Sequence, residues 1–172
     1  DFPIGLPYVN FDRGNTITSI GAYCLMINHF HLLLKETEDF GISKFIGKVL
    51  TSYSSYFNKK YRRTGCLFEG TFKAKHLNTD EYLKYIFSYI HLNPIKIIDS
   101  KWQENSIFNR ENAKGYLDKY GYSSYFEYLG RKRMENVILN KKDFPEYFAN
   151  SNEFQSFIND WLYYKDAGEL II

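Results

Sequence analysis

Cysteine is scarce in this 172-residue chain: only Cys24 and Cys66 occur, at a spacing that forms neither a disulfide framework nor a metal-ligand pattern. Long apolar runs are missing too, and none approaches the roughly 18 residues of a membrane span. The opening Asp1-Phe2-Pro3-Ile4-Gly5 lacks the basic region and apolar stretch of a secretory signal. These absences lead to the expectation of a cytoplasmic protein with reduced thiols and no membrane partner. The first residue is not Met, as expected of a fragment or a processed chain. Charge of one sign is lacking as well: 22 Lys and Arg against 20 Asp and Glu leave +2, so bulk charge does not announce a nucleic-acid binder.

What is present is an ordinary globular balance, 44% apolar and 24% charged, which excludes a disordered chain. The length suits one domain with its own core. Aromatics are abundant, with 16 Tyr and 15 Phe, enough to fill a core and leave some rings for unpaired bases. Basic residues are clustered: Lys59, Lys60, Arg62 and Arg63, then Lys73 and Lys75, then Arg131-Lys132-Arg133. Each cluster reads as a phosphate-neutralising patch or as a solvated face.

The pattern along the chain predicts an α+β domain. Residues 1–18 read as an irregular lead-in. Residues 19–26 and 29–35 read as two strands of a hairpin turning at Ile27-Asn28. Phe45, Ile46, Val49, Leu50, Tyr53 and Phe57 recur at helical steps, predicting a helix over 42–61. Residues 66–77 read as a third strand, with Glu69, Thr71, Lys73 and Lys75 on one face. On that strand His76 falls on the apolar side, as a core histidine. A helix over 79–92 is predicted to start at an Asn78 cap backed by Glu81 and to stop at Asn93-Pro94. Residues 99–130 are mixed, with loop character around Asn105 and Asn109. Short helices are expected near 133–140 and 151–164. Trp102 and Trp161 read as packing anchors.

Two features carry chemistry. In His29-Phe30-His31 the imidazoles are two residues apart, so on a strand they share a face and can reach one metal ion. Alone, this pattern also fits two histidines at a strand edge. Tyr89 and Asn93 are one helical turn apart. The Asn93 amide oxygen is then able to complete a ligand set, with the Tyr89 phenol beside it as a nucleophile; Tyr89 is equally compatible with packing beside Tyr82, Tyr85 and Ile86. His91 falls on a different helical face and is not expected to be a ligand. Glu69 is a candidate base.

Four ordered blocks then resemble single-tyrosine transposases of the HUH type, in the IS200-like family and nearest its REP-associated branch. They are Ala22–Leu34, containing His-Phe-His; Arg63–Lys75; Tyr85–Pro94, ending in Tyr-Ile-His-Leu-Asn-Pro; and Tyr122–Gly130. The resemblance implies a ferredoxin-like antiparallel sheet with packed helices. It implies a catalytic domain over 1–130, its leading strand and helix truncated, and a helical extension over 131–172. It implies that His29, His31 and Asn93 hold Mg²⁺ or Mn²⁺ and that Tyr89 attacks single-stranded DNA next to a hairpin, giving a 5′-phosphotyrosine and a free 3′-OH. Lys59, Lys60, Arg62, Arg63, Lys73 and Lys75 are the expected DNA contacts. No nucleotide cofactor is needed, and a homodimer is one arrangement the family admits. The chain departs from the family at Ile27, where proline is usual, and at Thr71, where arginine is common. Two other readings compete: a catalytically silent DNA or RNA hairpin-binding protein derived from a transposase, and a structural domain or unrelated phosphodiesterase with Tyr89 as packing.

Overall fold

A computed structural model describes residues 14–102, 107 and 109–163. The expected lead-in over 1–13, the loop at Asn105 and the end of the last predicted helix lie outside the described residues.

The fold starts from a hairpin. Strand β1 (Thr18–Leu25) pairs antiparallel with β2 (Phe30–Glu36), from Leu25↔Phe30 to Thr18↔Glu36. The Met26 N–H donates to the His29 carbonyl at 2.8 Å, closing the turn at Ile27-Asn28. The register slips between Ile20 and Ala22, leaving Gly21 as a bulge. A glycine is needed here because a Cβ would lie 2.9 Å from the Phe144 ring. The Gly21 carbonyl accepts from the Tyr128 hydroxyl at 2.7 Å.

Among the described residues the sheet has two strands. The outer edge of β1 is nevertheless covered. Leu25 N–H donates to Tyr122 O (2.8 Å), Ser124 N–H to Tyr23 O (2.9 Å) and Asn140 N–H to Ile20 O (3.0 Å), with a single bridge between Cys24 and Ser123. Edge groups left bare would invite pairing with another chain.

Helix α1 (Gly41–Tyr61) follows the hairpin, one residue earlier than its periodicity predicts. Gly41 comes so close to the Ile17 carbonyl that a Cβ there would collide with its oxygen. Helix α2 (Asp80–Leu92) is capped by Thr79, whose hydroxyl accepts from the Tyr82 N–H at 3.1 Å. The cap is therefore Thr79, one residue after the expected Asn78. Nor does Asn93-Pro94 end the helical path: a 3₁₀ turn, Asn93–Ile97, continues it. Pro94 sits in the first turn, where a missing N–H costs nothing.

The third strand expected over 66–77 does not form. The segment is irregular and mostly exposed. Gly70 at φ 69° breaks the extended run, and Tyr122–Ser124 already takes the outer edge of β1. His76 is exposed on this segment rather than buried in a core.

Asn109, read as a loop residue, caps α3 (Arg110–Leu117) by accepting from the Asn112 N–H. A short α4 (Tyr125–Tyr128), two 3₁₀ turns (Met134–Ile138 and Lys141–Asp143) and α5 (Ser151–Tyr163) complete the order. Trp102 is buried as expected of an anchor.

Helix α2 stands between two apolar clusters. Phe87 and Ile90 join Ala22, Cys24 and Leu33 beneath the hairpin. Leu92, with Ile95 just beyond it, joins Trp102, Tyr125, Phe154, Ile158 and Leu162, so α5 packs into the same core as the end of α2. Helix and hairpin are thereby locked together. No helix among the described residues is long and apolar enough to cross a membrane.

Candidate active site at the hairpin turn and helix α2

His29 closes the hairpin turn and His31 lies on β2 opposite Cys24. Their rings meet edge-on with centroids 4.9 Å apart. His31 also meets the Tyr89 ring edge-on at 5.4 Å. Two residues of the hairpin and one of α2 therefore converge, with His31 in the middle. Tyr89 is half-buried against the hairpin cluster and His29 is exposed, so the group opens to solvent on the His29 side.

Hydrogen bonding orients these groups. His29 Nδ1 pairs with Asn28 Oδ1 at 2.7 Å. Asn93 is fully buried, and its Nδ2 donates to the Tyr89 carbonyl at 2.9 Å. Asn93 Oδ1 and His31 Nε2 are both buried without a hydrogen-bond partner. Such orphaned atoms cost free energy unless something pairs with them. Burial, then the neighbouring His29 and Lys96, pull the His31 pKa down to about 4. At neutral pH its imidazole is therefore uncharged, the state a metal ligand requires. The donor set suits a divalent cation: two adjacent imidazoles, one held neutral, and a buried amide oxygen lacking a donor. Among the described residues no cluster of three or more His, Cys, Asp or Glu is present.

Lys96 is a site residue that the sequence pattern did not reveal. Its Nζ lies 5.3 Å from the Tyr89 ring centroid. It is seven residues after Tyr89, on the same helical face, but only if the helical path runs through Pro94. From the sequence alone, Asn93-Pro94 ends the helix.

The expected DNA contacts fall in two places. Lys59, Lys60, Arg62 and Arg63 are exposed at the end of α1 among rings: Lys60 Nζ lies 5.5 Å from both Tyr56 and Tyr61, and the Arg63 guanidinium 5.8 Å from Phe57. Phe30, between the two histidines, contacts Phe68 at 6.5 Å, and Phe68 contacts Tyr53 of α1 at 6.1 Å. Lys73 and Lys75 are exposed on the irregular segment, and Lys75 Nζ lies 4.9 Å from the Tyr82 ring on α2. Glu69 is exposed there as well. The third basic cluster is not a free patch: Arg133 is committed to buried Glu127.

His91 is buried away from the site. Its Nδ1 donates to the Phe87 carbonyl, and its Nε2 faces Ser124 Oγ, each at 2.7 Å. It is a structural histidine, as its helical face implies.

No curated protein and no solved structure matches the chain. The family model described as Transposase IS200 like matches residues 14–93. That span begins before the hairpin, ends at Asn93 and contains His29, His31 and Tyr89 together with both exposed basic groups. Over residues 14–93 the chain is similar to the IS200-like transposase family.

Proposed function

We propose that the chain is a metal-dependent single-stranded DNA endonuclease and strand transferase acting through Tyr89 on hairpin-flanked DNA. The observation that carries this reading is the single ring group in which His31 touches both His29 and Tyr89. Its resemblance to the REP-associated branch points the same way.

His29, His31 and Asn93 would hold Mg²⁺ or Mn²⁺. Such an ion supplies Lewis-acid polarisation of a phosphate oxygen and offsets charge in the transition state. The Tyr89 Oη attacks phosphorus, forming a Tyr–O–P bond as the P–O3′ bond breaks. The phenol proton passes to solvent, and the departing 3′ oxygen gains a proton to become a 3′-OH. Attack by another 3′-OH reverses the exchange and joins strands without a nucleotide cofactor. Asn93 fixes the last turn of α2 beneath Tyr89, and Lys96 brings a cation to the same ring. Exposed lysines and arginines position the backbone and carry no sequence information themselves.

A second reading, a silent hairpin-binding protein, is favoured by the lack of a third His, Cys, Asp or Glu beside the imidazoles among the described residues. One experiment separates the two. Labelled hairpin DNA with single-stranded flanks is incubated with Mn²⁺ and run on a denaturing gel. The expected result is a covalent protein–DNA band that disappears in Tyr89→Phe while binding persists. Binding without nicking at any metal concentration establishes the silent reading, and a band that survives Tyr89→Phe moves the nucleophile elsewhere.

A further inference from the structure

The face of α2 that presents Tyr89 carries more rings than the chemistry uses. Tyr82, Tyr85 and Tyr89 follow at three and four residues, one above another. Tyr82 and Tyr85 are near-parallel, 21° apart with centroids at 6.0 Å, and Tyr85 meets Tyr89 at 6.1 Å. All three are half-buried, so part of each ring stays accessible. Trp161 of α5 adjoins this row, 5.2 Å from Tyr85. An ammonium stands at each end: Lys75 over Tyr82 at 4.9 Å and Lys96 over Tyr89 at 5.3 Å.

We infer that the row Tyr82–Tyr85–Tyr89, widened by Trp161 and flanked by Lys75 and Lys96, is a stacking track for unpaired nucleotides adjoining the bond that Tyr89 cuts. The inference rests on the proposed function for its ligand and adds the residues that grip it. Seven residues of helix rise about 10 Å, and stacked nucleotides advance about 3.4 Å each, so the track accommodates about three bases. Tyrosine and tryptophan faces stack on any base, while lysines at the ends neutralise the phosphates that enter and leave. The track binds flanking single strand rather than duplex, because paired bases keep their faces buried in the helix. It also gives the C-terminal helix a place at the site, since Trp161 lies far outside residues 14–93 in sequence.

The test uses the whole chain carrying Tyr89→Phe, so that DNA binds without being linked. Trp102 is buried in the core, so fluorescence quenching on adding oligothymidylate reports Trp161. Hairpin DNA with single-stranded flanks is then scanned with abasic nucleotides, which alters the ligand and leaves the protein fold intact. The expected result is quenching by the oligonucleotide, lost in Trp161→Phe, and a consecutive run of about three abasic positions that each weaken binding roughly five- to hundred-fold. Tyr82→Leu should abolish the sensitivity of the outermost of those positions. No quenching together with abasic positions that bind like the parent DNA overturns the track. If the unmutated chain still forms the covalent band, the cleavage reading survives that failure. Quenching and abasic sensitivity without any covalent band sustain the track and remove the cleavage reading instead.

Discussion

At the scale of single residues, the two histidines divide one task unequally. His29 is exposed at a turn, while His31 is half-buried and touches both His29 and Tyr89. Replacing either with Ala removes one nitrogen from the proposed metal site. Loss of a supporting outer partner alone commonly costs 10–100-fold in metal affinity or activity, so loss of a ligand should exceed about 100-fold in Mn²⁺-dependent nicking. The variants should part in stability. His29→Ala leaves the urea midpoint where it was, and His31→Ala lowers it, because His29 is exposed and His31 is half-buried. Equal midpoints with unequal nicking would mean that His31 does not hold the geometry assigned to it. The pairs 29/31 and 89/93 were legible in the sequence because each is a local period, of strand or of helix. Lys96 was not, since its place depends on backbone that continues helically past a proline.

At the scale of elements, the helix that carries Tyr89 begins at a single cap. Thr79, not Asn78, accepts an N–H left free in the first turn, that of Tyr82. Thr79→Ala should therefore cost about 1 kcal/mol in urea unfolding, and Asn78→Ala should be near neutral. The reverse order would restore the Asn78 cap. Helices α1, α2 and α5 were legible because their apolar spacing is dense, while α3 falls in a stretch without such spacing and the helix expected near 133–140 is a 3₁₀ turn. The segment 66–77 shows that alternation alone does not make a strand. It also needs a free edge, and Gly70 and the Tyr122–Ser124 segment withhold one. A second prediction concerns pH. Burial holds the His91 pKa down near 3, against an ordinary 6.5. Between those values the unfolded chain binds a proton that the folded chain refuses, so stability rises with pH across the window. The stabilisation is full above about pH 6.5 and is lost as pH falls toward 3; His31, shifted the same way, adds to it. Urea midpoints measured from pH 7 to pH 4 should fall steadily. In His91→Gln the fall should be shallower, and a wild-type midpoint that is flat over that range contradicts a buried neutral His91.

At the scale of the whole molecule, the hairpin that carries the histidines is held from a part of the chain more than a hundred residues away. Arg133 grips the carboxylate of fully buried Glu127 through Nε at 2.6 Å and Nη2 at 2.8 Å, and it also donates to the Tyr23 hydroxyl on β1 at 2.9 Å. The same guanidinium donates to the Gly121 and Ser123 carbonyls, the stretch that covers the outer edge of β1. No local period in the sequence announces such a clasp, and Arg131-Lys132-Arg133 therefore reads as a phosphate patch or a solvated face. Breaking a buried pair by removing one partner leaves the other charge uncompensated, which costs about 3–5 kcal/mol. Arg133→Met should lower the unfolding free energy by that amount. Arg133→Met together with Glu127→Met should recover much of it, because two apolar side chains leave no stranded carboxylate. The pair of measurements distinguishes a clasp from a surface contact: if the single variant costs less than about 1 kcal/mol, the guanidinium is solvated and the edge of β1 is held by its backbone bonds alone. The clasp also predicts that the Arg133→Met protein loses Mn²⁺-dependent nicking at a lower urea concentration than the parent, since the strand it steadies leads directly into His29 and His31.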